Sequence, residues 1–117
     1  MIEIIRIREL KLEQASRVGR LSHLSAASGL VCIGEQAYVV ADDELHLGLF
    51  DLGSDGPGRL LQLFPGELPD DNAERKALKP DLETLALLPP MPGYSHGALL
   101  ALGSGSKKNR RKGVLLA

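Results

Sequence analysis

The sequence predicts an all-β protein built from four-stranded antiparallel meanders, and three observations carry that expectation. Short runs rich in Val, Ile, Leu and Tyr recur at strand length. Clusters of Gly, Pro, Asp and Ser separate these runs and supply the backbone angles that tight turns require. Helix formers that follow capping candidates occur at Asn72 to Lys79, enough for one short helical turn or a plain loop between strand clusters.

Taken in order, Ile2 to Leu12 comes first. Ile5, Arg6, Ile7 and Arg8 alternate with period two and no Gly or Pro interrupts the run, so an N-terminal strand is expected over residues 1–12. Residues 13–28 are polar and small, with Ser16, Ser22, Ser25 and Ser28 among Arg17, Arg20 and His23, and read as a connecting loop. A first cluster occupies residues 25–66. Its strands are Leu30 to Ile33, Tyr38 to Ala41, Leu45 to Leu52 and Arg59 to Phe64, joined by turns at Gly34-Glu35-Gln36, Asp42-Asp43 and Gly53 to Gly58. Asp70, Asp71 and Asn72 are capping candidates for a short helical turn that Pro80 ends. A second cluster, residues 79–117, places strands at Leu82 to Leu88, Ala98 to Leu102 and Val114 to Leu116. Its links are the proline-rich Pro89 to Gly93 and the loop Gly103 to Lys112.

The two clusters share an order: a first strand (Leu30, then Leu85), a second (Tyr38 to Ala41, then Leu100 to Gly103), a polar turn, and a third. This rhythm predicts about two blades of a β-propeller, the second lacking its last strand. Blades are apolar on both faces and rely on their neighbours to cover them. The expectation is therefore a propeller fragment, whose outer faces require the remainder of the propeller or self-association. A small β-sandwich is the alternative, and it would seal Val39, Leu85 and Leu100 inside one two-layer core.

Composition narrows the function classes. Hydrophobic residues at 44% and charged residues at 25% give the ordinary globular balance, and a net charge of −1 supplies no global field for nucleic acid or an anionic membrane. No signal peptide or spanning segment is legible, so a cytoplasmic setting is expected, without membrane contact. The single cysteine, Cys32, lies in the apolar run Leu30 to Ile33 and reads as a buried thiol. His23, His46 and His96 are scattered singly, which argues against a zinc site.

Ser28-Gly29-Leu30, Tyr38-Val39-Val40-Ala41-Asp42-Asp43 with Leu45 and Phe50, Lys79-Pro80-Asp81-Leu82-Glu83-Thr84-Leu85, and Ala101-Leu102-Gly103-Ser104-Gly105-Ser106 together resemble a family of uncharacterised bacterial β-propeller proteins. That family is distantly similar to the propellers labelled esterase-like phytase. The resemblance begins near Ser25, implies correspondence to the N-terminal portion of longer proteins, and assigns no activity.

In blade order, the segments entering each first strand and the turns after each second strand share one rim. Lys79, Asp81 and Glu83 precede or open the second cluster's first strand, Asp42 and Asp43 form the first middle turn, and Ser104, Ser106 and Arg110 lie in the second. Carboxylates and hydroxyls suit a divalent cation such as Ca²⁺ or Mg²⁺, while Lys and Arg suit phosphate. Asp42-Asp43 is also what a hairpin turn prefers, and Asp81 and Glu83 can cap backbone amides. The expected ligand is a polar or phosphorylated small molecule, bound or hydrolysed, with no catalytic residue identified. Ser104-Gly105-Ser106-Lys107 spells S-x-x-K, but a loop between strands is the wrong setting for that motif. A protein-interaction scaffold is the second reading. Nucleic-acid binding through Lys107 to Lys112 is disfavoured by the lack of aromatic residues beside the run.

Overall fold

The computed structural model describes residues 1–14 and 23–117. Ser16, Arg17, Arg20 and Ser22 of the expected loop lie outside the described residues. The described chain is mostly β, with strands β1 (Ala27–Ile33), β2 (Gln36–Ala41), β3 (His46–Asp51), β4 (Arg59–Gln62), β5 (Leu82–Leu88), β6 (Ala98–Gly103) and β7 (Gly113–Leu116). One α-helix, α1 (Asn72–Leu78), separates β4 from β5. Asp71 caps it by accepting the Glu74 N–H at 2.9 Å. The fold is two antiparallel meanders, a four-stranded sheet ordered β1-β2-β3-β4 and a three-stranded sheet ordered β5-β6-β7.

The first strands of both sheets open the same way. Ala26, φ 62°, precedes β1 and Asp81, φ 55°, precedes β5, and these are the two non-glycine residues in the left-handed region among those described. In each case the ladder then shifts register, between Ala27 and Gly29 in β1 and between Leu82 and Thr84 in β5. After the shift, Leu30 pairs with Val39 and Leu85 with Ala101.

Strand alternation separates the apolar side chains into layers. On β2, Ala37 and Val39 face a cluster with Leu12 and Phe50, against which Leu10, Leu24 and Leu60 pack. Val40 faces the other way and joins Leu47, Leu82 and Ala101, with Leu85 and Leu116 packed alongside. The first sheet is thus covered on one face by the N-terminal segment and on the other by the second sheet. Val39 and Leu85 lie on opposite sides of the first sheet. Leu100, next to Ala101 on β6, points to the far face of the second sheet with Leu102, which is 39% exposed, and with Leu115 of β7, which is 41% exposed. The three residues that a sandwich would bury together therefore occupy three different layers.

At Gly29 the two sheets come close. A Cβ there would lie 3.0 Å from Val40 Cγ2 and 3.2 Å from the Leu85 backbone nitrogen, so a side chain would force β2 or β5 to give by a few tenths of an ångström. Beside it, the Ser28 hydroxyl donates to the Leu82 carbonyl.

Two expectations are corrected. No strand forms over residues 1–11, and among the described residues the N-terminal run pairs through a parallel bridge between Leu12 and Gly58. Ile2, Ile4, Ile5 and Ile7 stay exposed, because the alternating pattern meets no sheet edge within the described chain. The Arg8 guanidinium instead ties the segment to the β3–β4 loop by donating to the carbonyls of Asp51, Ser54 and Gly56. Cys32 is exposed rather than buried. It sits near the end of β1, an edge strand of the first sheet.

Candidate functional site

Local backbone hydrogen bonds gather the charged residues at one end of both sheets. The Asp42 N–H, just past β2, bonds the Ala26 carbonyl at 3.0 Å, and the Ser104 N–H, just past β6, bonds the Asp81 carbonyl at 2.9 Å. The turn after each second strand is thereby fixed beside the residue that enters each first strand. Lys79, the C-cap of α1, falls between the two turns.

The Lys79 ammonium donates to Asp42 Oδ1 and Asp43 Oδ1, both at 3.0 Å, and lies 3.6 Å from Asp81 Oδ1. Arg110 Nη1 lies 3.4 Å from Asp81 Oδ2 and donates to the Ser106 hydroxyl at 3.2 Å, while Nη2 donates to the Lys76 carbonyl at 3.0 Å. Arg75 Nε lies 3.6 Å from Asp43 Oδ2, and its Nη1 donates to the Asp70 carbonyl at 2.7 Å. Three carboxylates and three cations balance one another, and Arg75, Lys79 and Asp81 are buried. Burial by itself lowers the Lys79 pKa by disfavouring the ammonium. The hydrogen bonds to Asp43 and Asp42 and their negative charge outweigh it, and the value is held above the ordinary 10.5.

Every residue singled out from the sequence lies at or beside this cluster. Lys79, Asp42, Asp43, Asp81 and Arg110 form it. Ser106 joins through Arg110, and Ser104 through a hydroxyl contact to Ser106 at 3.0 Å. Glu83 is exposed, and its carboxylate oxygen lies within 4.8 Å of oxygens of Asp42 and Asp81. Those three carboxylates have the spacing and hard-donor chemistry for Ca²⁺ or Mg²⁺. Lys79 already holds the cationic position beside two of them, so an added ion would compete with its ammonium. Arg75 and Asn109 are members that the sequence did not reveal. Arg75 looks like an ordinary helix-surface residue, and Asn109, whose side-chain amide donates to the Lys79 carbonyl at 2.8 Å, sits in a run read only for its charge. Glu44, in the same turn as Asp42 and Asp43, is buried and accepts the Ser25 N–H at 3.0 Å.

The β6–β7 loop is anchored onto the cluster. Gly103 N–H bonds the Lys112 carbonyl and Gly105 N–H the Arg110 carbonyl, both at 2.9 Å. A Cβ on Gly103 would lie 2.4 Å from the backbone oxygens of Arg110 and Pro80, so glycine is required where the loop, β6 and the α1–β5 link converge. Asn109 and Arg110 point inward, and Lys107, Lys108, Arg111 and Lys112 project from the loop. None of these four forms an ion pair with a carboxylate among the described residues.

Fold and site together define an all-β protein in which a buried, charge-balanced cluster fastens two stacked meanders at one end and carries a cationic loop. The chain belongs to DUF6929, a family of unknown function, whose family model matches residues 23–117. No curated protein and no solved structure matches the chain. No helix among the described residues is long and apolar enough to cross a membrane.

Proposed function

We propose that the two meanders are successive blades of a β-propeller-type module that binds a polar, phosphate-bearing small molecule at the rim carrying the charged cluster. The blade reading is supported by the repeated opening of β1 and β5 and by a second sheet that is apolar on both faces. Its relation to phytase-like propellers belongs to the same proposal and assigns no reaction. The observation that carries the ligand reading is the anchored loop: among the described residues Lys107, Lys108, Arg111 and Lys112 pair with no carboxylate, while Asn109 and Arg110 hold their backbone in place. Cations held in one arrangement lose less freedom on meeting an anion than cations on a mobile loop do. The clustered carboxylates act as the loop's mount, since their charge is already neutralised by Lys79, Arg75 and Arg110.

Isothermal titration of pyrophosphate at low salt tests this reading. Saturable binding is expected, weakened at least tenfold in a Lys107→Ala/Lys108→Ala variant and falling steeply with salt. Absence of binding to the parent protein would refute it. A protein-interaction scaffold is the second reading, favoured by the outer face of the second sheet, where Leu100, Leu102 and Leu115 are partly exposed together. Binding of pyrophosphate with no dependence on the loop lysines would refute the loop as the ligand site.

A further inference from the structure

An apolar hollow of about 220 Å³ opens beside the cationic loop, and nothing in the charged cluster uses it. Phe64, Leu68, Leu78 and Pro80 supply its apolar surface, and Lys112 and Glu67 stand on its wall. Leu68 and Pro80 are buried, whereas Leu78 on α1 is 60% exposed, a costly place for a leucine unless something covers it. Lys112 forms no ion pair with a carboxylate among the described residues, so its ammonium is available at the edge of an apolar surface.

We propose that the rim ligand is an anionic amphiphile, a phosphate monoester with a short apolar or single-ring body. Its phosphate sits at Lys112 and the neighbouring loop cations, and its body lies in the hollow against Phe64, Leu68 and Leu78. Glu67 fixes the orientation, because a dianion is repelled from that part of the wall and drawn to Lys112. The size fits: the hollow is smaller than the roughly 300–1,000 Å³ of sites for drug-sized ligands. This inference rests on the anion-binding reading above and adds the second half of the ligand.

The test compares phenyl phosphate with inorganic phosphate on the full chain, using calorimetry at low salt. Phenyl phosphate is expected to bind at least tenfold more tightly than inorganic phosphate. Leu78→Gln, a neutral change at an exposed position, is expected to lower the affinity for phenyl phosphate at least tenfold without altering the circular dichroism spectrum. Equal affinities of the parent protein for the two probes would overturn the amphiphile inference and leave the anion-binding reading standing. Binding of neither probe would overturn both.

Discussion

Replacing Lys79 by Met keeps the length and much of the apolar stem of the side chain while deleting the charge that three aspartates share. The loss is not uniform among them. Asp43 keeps Arg75 at 3.6 Å and Asp81 keeps Arg110 at 3.4 Å, so Asp42, bonded to Lys79 at 3.0 Å, is the carboxylate most exposed to the change. Removing one partner of a fully buried pair costs about 3–5 kcal/mol. The Asp42 side chain retains 29% of its exposure, and its partial hydration brings the expected loss down to about 2–3 kcal/mol. Urea unfolding followed by far-ultraviolet circular dichroism reads this directly. With a slope near 2 kcal/mol per molar, the midpoint should fall by about 1–1.5 M. Adding Asp42→Asn should recover about half of the loss, since the penalty arises from an uncompensated carboxylate. A fall below about 0.5 kcal/mol would place Lys79 with ordinary solvated surface pairs and refute the reasoning.

Lys79 also sets a pH dependence. Its folded-state pKa is raised, so its stabilising contribution is complete below the ordinary 10.5 and is lost as pH rises through the higher folded value. Melting curves should show an alkaline loss of stability in that range, and Lys79→Met should remove this component. Gly29→Val places side-chain carbon against Val40 and the Leu85 backbone and should cost about 1–3 kcal/mol by urea titration, while a neutral result would mean the sheets do not approach there. Leu82→Ala empties a fully buried position between the sheets and should cost about 2–5 kcal/mol in the same assay. The exposed Cys32 should react with a thiol reagent in the native protein at the same rate as in urea, within a small factor; protection by orders of magnitude would bury it again.

Much of the strand order was legible because local chemistry determined it. Leu82 to Leu88 lies between Pro80 and Pro89, and the strand fills that space. Asp71 caps α1 for the local reason that a carboxylate suits the free N–H groups of a first turn. The shared end of the sheets was legible because turns and strand entries must alternate in a meander, which places Asp42, Asp43 and Asp81 together. What escaped depended on distant partners. Ile5 and Ile7 alternate as strand residues do, yet strand formation needs an edge to pair with, and periodicity does not say whether one is near. Cys32 has apolar neighbours in sequence, but it is exposed on an edge strand, and local composition does not say which strand lies at an edge. Arg75 is buried because Asp43, more than a helix length away in sequence, comes to meet it.

The claim on which the account turns is that the charged cluster holds the cationic loop in place. Native-state hydrogen exchange after Asp81→Asn tests it directly: Asn tolerates the left-handed backbone at this position, and the substitution removes only the charge that Arg110 and Lys79 share. The amides of Ser104, Gly105 and Arg110 should exchange about tenfold faster or more, a weakening of about 1.4 kcal/mol, with Val40 and Leu47 unchanged. Unaltered exchange at the loop amides would show that the loop is held by something else.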